Sequence, residues 1–214
     1  VTRTTPEPIP PRADVYFDVL CPWSFIAKRR LEKALSTLPH ADRVEIVWRS
    51  FELSPQSRKT PGPTAAEEMT EWWGDRTAAR IDLIRRLGAA EGLELNLHKA
   101  RPVDTFDAHR LFHLATAHGR SDHMLEHLLT AYHTDGLNIA DPRVLEHLGT
   151  RAGLELDHVR ALLPGTLSPT RSGPMRRAPP NAASPASPPW CSAPDPRSQP
   201  SSPRRNCPAY WNAA

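Results

Sequence analysis

Cys21 stands at the end of a short apolar run and is followed at once by Pro22, Trp23 and Ser24, in the stretch FDVLCPWSFIAKRRLEKAL (17–35). A β-type run ending in a cysteine, with proline next, puts the thiol at the first turn of a helix. Unpaired backbone N–H groups and the helix dipole favour an anion there. A thiolate is an anion, so this position is expected to lower the cysteine pKa and raise its reactivity. Lys28, Arg29 and Arg30 follow within three turns and add weaker positive charge. Position alone leaves a second reading open, that of an inert cysteine buried at a strand end. A second cysteine three residues on could close a disulfide, but Ser24 occupies that place. Its hydroxyl can donate to the thiolate and cannot resolve a mixed disulfide, which leaves monothiol exchange resolved by an outside thiol.

The elements that must hold this thiol are legible in outline. DVYFDV (14–19) and VEIVWRSF (44–51) read as strands. Between them the spacing predicts a helix over 22–38, with Phe25, Ile26, Leu31, Ala34, Leu35 and Leu38 on its apolar face. Pro22 suits the first helical turn, where its missing N–H is not needed. Strand, helix, strand at this spacing is a βαβ unit, hence a parallel and right-handed one. After a loop, Thr64 with Glu67 forms a capping-box pattern that opens a helix running to about Glu91. Further helices are expected over about 104–118, 121–134, 142–151 and 155–163. A βαβ start is thus followed by an all-helical block, an α/β architecture divided into 13–62 and 63–163.

The flanks differ from this body. Residues 1–12 read as a disordered leader without the apolar core of a signal peptide. Residues 164–214 hold 13 of the 24 prolines, no Val, Ile or Phe, and six arginines against one aspartate. That composition cannot bury enough apolar surface to order itself, so the segment reads as a disordered tail. It also carries the basic charge: the whole chain is +3, the tail alone +5, and residues 1–163 are −2. With no basic, aromatic-interleaved face in the body, nucleic acid is not an expected partner. No run of eighteen apolar residues indicates a membrane span. Three cysteines do not make a secreted disulfide framework, and the protein is expected in the cytoplasm.

Ten histidines raise the question of metal. His109 with His113, and His123 with His127, are spaced i,i+4, yet neither pair has the further ligands a site needs, and no metal is expected. Trp23 reads as a wall over the thiol, Trp72 and Trp73 as packing residues, and Asp42, Arg43 and Glu52 as ordinary surface.

FDVLCPWSFIAKRRLEKAL, WRSFELSPQ, DTFDAHRLFHLA and AYHTDGLNIADPRVLEHLG together resemble the DsbA-like thioredoxin-fold family, in particular its FrnE-like branch. That branch is close to 2-hydroxychromene-2-carboxylate isomerase and kappa-class glutathione transferase. The resemblance covers about 13–163 and implies a thioredoxin-like fold with a large helical insertion. It implies thiol–disulfide oxidoreductase chemistry on a thiol or disulfide substrate, small molecule or protein, with Cys21 and Ser24 at the centre. Pro22, Trp23 and His109 support them, although Asp104 stands where relatives often have asparagine. No bound cofactor is implied, and glutathione is the expected co-substrate. The oxidoreductase branch commonly has C-P-W-C, so Ser24 departs from it. The isomerase and transferase relatives carry serine at the position of Cys21, and a glutathione-dependent isomerase or transferase is the alternative enzyme. Neither reading specifies an oligomeric state.

The resemblance also implies a C-terminal ββα half opening on a cis-proline loop, and residues 164–214 offer no such strand. Their composition suits GC-rich DNA read out of frame. In a displaced frame TLSPTRSGPMRRAPPNAASPASPPW permits HAFADEVRADEARAAERGVTGVPTV, a charged helix and then GVTGVP before an apolar strand. The remainder permits a hairpin and a final amphipathic helix. The expectation is a frameshifted tail, with Cys191 and Cys207 accidental, and a third reading follows in which the chain is a non-catalytic, truncated product.

Overall fold

The computed structural model describes residues 10–163. Its elements in chain order are β1 (Arg12–Phe17), α1 (Pro22–Thr37), β2 (Glu45–Ser50), α2 (Ala65–Trp73), α3 (Thr77–Ala90), α4 (Phe106–Ala117), α5 (Ser121–His133), α6 (Pro142–Arg151) and α7 (Leu156–Leu162). Short 3-10 turns sit at Ala41–Arg43 and Gly74–Arg76. The expectations for the disordered tail, the missing half, the displaced frame, Cys191 and Cys207 lie outside the described residues, as does most of the leader.

β1 and β2 pair in parallel, from Arg12 opposite Glu45 to Phe17 opposite Ser50. With α1 between them they form the βαβ unit expected from the sequence. The strand starts two residues earlier than expected, so Arg12 belongs to the fold and not to a leader. It also ends earlier, at Phe17 rather than Val19. The backbone turns at the next residue, where the Asp18 carbonyl accepts the Cys21 N–H at 3.1 Å. That turn aims Cys21 at the start of α1, with Pro22 in the first helical position.

The single helix expected from Thr64 to about Glu91 is two helices. The capping box at its start forms as read: the Thr64 hydroxyl accepts the Glu67 N–H at 3.2 Å, and the Glu67 carboxylate accepts the Thr64 N–H at 2.7 Å. Gly74 then adopts φ +55° with ψ −128° and ends α2, a positive-φ conformation that glycine takes without strain. The Thr77 hydroxyl donates to the Met69 carbonyl at 3.0 Å and stitches α3 to α2 across the break.

The core lies where the helical block meets the βαβ unit. Met69, Leu111, Phe112, Met124, Leu125, Leu128, Leu129, Leu145 and Val159 are buried almost completely, and α4 packs on α5, α6 and α7. Phe17 carries this core to the strands, its ring 4.8 Å from Phe112 and 6.0 Å from Trp48 in edge-on contacts. Such aromatic pairs add to simple area burial. The predicted face of α1 is apolar and buried at Phe25 and Ile26 but fades toward Leu38, which is 49% exposed. Trp72 and Trp73 pack edge to face at 5.9 Å against this core. Glu52, expected at the surface, is buried.

Candidate functional site

The site is built on the turn Asp18–Ser24. Cys21 caps α1 with extended backbone and no side-chain capping bond. Its N–H is held by Asp18, and its carbonyl accepts the Ser24 N–H at 3.0 Å. The Ser24 hydroxyl accepts the Asp18 N–H at 3.3 Å, closing the turn from the other side. Pro22 is buried, while Trp23 is half-buried and packs against the core. These four residues lie together because one turn carries them.

The expected lowering of the Cys21 pKa does not hold. Cys21 is half-buried by exposed area, yet the packing around its sulfur pushes the thiol pKa up, and the nearby Asp18 carboxylate pushes the same way. Hydrogen bonds from Ser24, through both its N–H and its hydroxyl, and from the Trp23 N–H favour the thiolate but do not win. The basic residues of α1 do not help, because carboxylates engage them. Lys28 is buried against Glu32, Asp122 and Glu126. Arg29 pairs with Glu32 and Glu126, and Arg30 with Glu91 at 2.8 Å.

His109 is fully buried on α4, its Nε2 3.3 Å from Asp18 Oδ1 and its ring 5.2 Å from Phe17. It therefore reaches the thiol turn through Asp18. His113, one helical turn on, faces elsewhere, with Nε2 3.1 Å from Ser50 Oγ.

Two contributors escaped the sequence reading. Asp18, only 2% exposed, sits between Phe17 and Val19, and a carboxylate inside an apolar run just before a cysteine is the signal that could have found it. His133, at the end of α5, is buried beside the turn. Burial lowers its pKa to about 4, although the carbonyls of Val19 and Cys21 and the Asp18 charge pull it upward. Its neighbour Tyr132 is also buried, and the phenol pKa is raised by desolvation and by Asp18 and Glu68.

A cavity of about 500 Å³ between α2 and α3 is lined by Ala66, Thr70, Thr77, Ile81, Arg85 and His98, and no residue of the thiol turn lines it. A smaller pocket between Leu20, Ser54, Met69, Trp72 and Tyr132 opens beside the residue that precedes Cys21.

The model of the DSBA-like thioredoxin domain matches residues 12–168. The chain belongs to this DsbA-like family. Its fold is thioredoxin-like α/β with a helical insertion, and the family is one of thiol–disulfide oxidoreductases. The DsbA-like chain is similar to the crystal structure of a probable DsbA oxidoreductase from Streptomyces coelicolor, with 36% identity and a TM-score of 0.67 over 71% of this chain and 67% of that one. It is also similar to the uncharacterised protein YwbO of Bacillus subtilis, 26% identical over 142 residues. The DsbA-like chain spans 66% of that relative's length, just under two thirds. Among the described residues of this DsbA-like domain, no helix is long and apolar enough to cross a membrane.

Proposed function

We propose that the chain is a FrnE-like monothiol exchanger of the cytoplasm, working by mixed disulfides through Cys21. The observation that carries this reading is the turn itself. Cys21 stands at the start of α1, and the side chain three residues on, where a resolving thiol would act, is the Ser24 hydroxyl. In the first step the Cys21 thiolate attacks a disulfide such as oxidised glutathione. One S–S bond breaks, a mixed disulfide forms on Cys21, and one glutathione thiolate leaves. In the second step an outside thiolate attacks the mixed disulfide, taking the glutathione or protein partner and returning the Cys21 thiolate. No electrons are gained or lost overall. Ser24 steadies the thiolate by hydrogen bonding and takes no part in bond exchange.

The raised thiol pKa favours a second reading, a glutathione-dependent isomerase or transferase in which Cys21 is not the nucleophile. One comparison separates them. Oxidised glutathione should add one glutathione to Cys21, found by intact mass and peptide mapping and removed by excess thiol. Under the second reading no adduct forms, reduced glutathione binds reversibly in calorimetry, and Cys21→Ser keeps that binding. Neither adduct nor binding would identify a non-catalytic product.

A further inference from the structure

We propose that Asp18 and His109 are the positioning pair of the thiol turn, and that the Asp18 carboxylate is the charge against which Cys21 must ionise. The proposal rests on the reading of Cys21 as the reacting group. Its basis is the way one side chain gathers three segments. Asp18 Oδ2 accepts the Leu53 N–H at 2.6 Å from the loop after β2. Oδ1 accepts the Leu20 N–H at 3.3 Å from the thiol turn and faces His109 Nε2 of α4 at 3.3 Å. The Asp18 backbone meanwhile holds the Cys21 N–H and the Ser24 hydroxyl. Moving this carboxylate therefore moves the turn that carries the sulfur.

His109 fixes the carboxylate in turn. Its Nδ1 is buried and has no partner among the described residues. The hydrogen-bond pattern assigns the proton to Nε2, where it is donated to Asp18, and leaves Nδ1 as a bare acceptor; the opposite tautomer would strand a buried N–H. The helical insertion thus reaches the Asp18 carboxylate through the His109 imidazole. The charge of this carboxylate, behind burial, opposes a negative charge on the sulfur. The other groups around it are His133 and Tyr132 of α5 and Glu52, which neighbours Leu53; all three are buried. They are the same in every variant below.

The test uses the full chain with Cys191→Ser and Cys207→Ser, so that Cys21 is its one thiol. The rate of alkylation by iodoacetamide is followed against pH. Asp18→Asn keeps the shape and an acceptor oxygen but removes the charge, and its inflection is expected to fall by about one pH unit. His109→Leu, which removes the donor and leaves the carboxylate, should move the inflection upward, and His109→Gln should bring it back toward the parent. A purely structural role would not move the profile in opposite directions. An Asn variant with a parent-like circular dichroism spectrum and an inflection at or above the parent's overturns the proposal. If that variant does not fold, the histidine pair decides, and equal inflections for His109→Leu, His109→Gln and the parent overturn it. Alkylation needs no disulfide exchange, so failure to form a glutathione adduct sinks the functional reading and leaves this result standing.

Discussion

The Lys28 ammonium, on a side chain only 2% exposed, lies 3.2 Å from Glu126 Oε2 and joins α1 to α5. Burial pulls the lysine pKa down; Glu32, Asp122 and Glu126 outweigh it and hold the pKa above the usual lysine value. Arg29 bonds the same Glu126 carboxylate, with Nη1 2.8 Å from Oε2. Arg29 and Glu126 stand 97 positions apart in sequence.

This arrangement predicts an asymmetry. Glu126→Ala removes the carboxylate that both cations share, one of them buried, leaving only Glu32 and Asp122 to balance them, and should cost about 2 kcal/mol. Lys28→Met removes the buried charge and leaves carboxylates that water can reach, at a cost of about 1 kcal/mol or less. Urea unfolding of both variants measures the difference, and a Met variant as unstable as the Ala variant would contradict the account.

The thiol itself should titrate late. With Cys191 and Cys207 replaced, the alkylation inflection of folded Cys21 is expected above that of a free cysteine, because burial outweighs the helix N-terminus. In denaturant it should drop to the ordinary value. A folded inflection below the denatured one would mean that the helix dominates after all.

Acid should weaken the fold through His133. Its folded pKa of about 4 lies below the 6.5 of an unfolded histidine, so the unfolded chain binds the proton first. The stability is fully present above pH 6.5 and is lost as pH falls toward 4, by about 3 kcal/mol in total. His133→Phe should flatten that part of the stability curve. An unchanged slope between these pH values would remove His133 as its source.

The Thr64 cap offers a local check. Thr64→Ala loses the bond to the Glu67 N–H and should cost about 1 kcal/mol, while Thr64→Ser should cost far less. Equal losses in thermal unfolding would show that packing, not the cap, holds the start of α2.

What the sequence disclosed, it disclosed where one local rule decides. Thr64 and Glu67 stand three apart and have no competing partner, so the capping box was readable. The parallel pairing followed from a helix of known length between two apolar runs. The break at Gly74 is not legible, because a single glycine inside a helical pattern is tolerated at a cost of about 1 kcal/mol and only its positive φ shows the interruption. Lys28 was read as free positive charge near the thiol. Its burial depends on Asp122 and Glu126, which arrive from a distant helix. The same blindness reversed the sign for Cys21. A helix terminus is visible in sequence, whereas desolvation and a carboxylate folded in from Asp18 are properties of the assembled site.

The division of that site between distant segments has a consequence in time. Cys21 is synthesised about 90 residues ahead of His109, a gap of roughly 4–18 s at the usual rate of about 5–20 residues per second. Over that interval the thiol has neither the helices that bury it nor the imidazole that orients its neighbouring carboxylate. The nascent chain therefore carries a more readily ionised cysteine than the finished domain. Any oxidant or thiol present during synthesis meets that cysteine before the fold restrains it, so the redox state of Cys21 is open to being set on the ribosome.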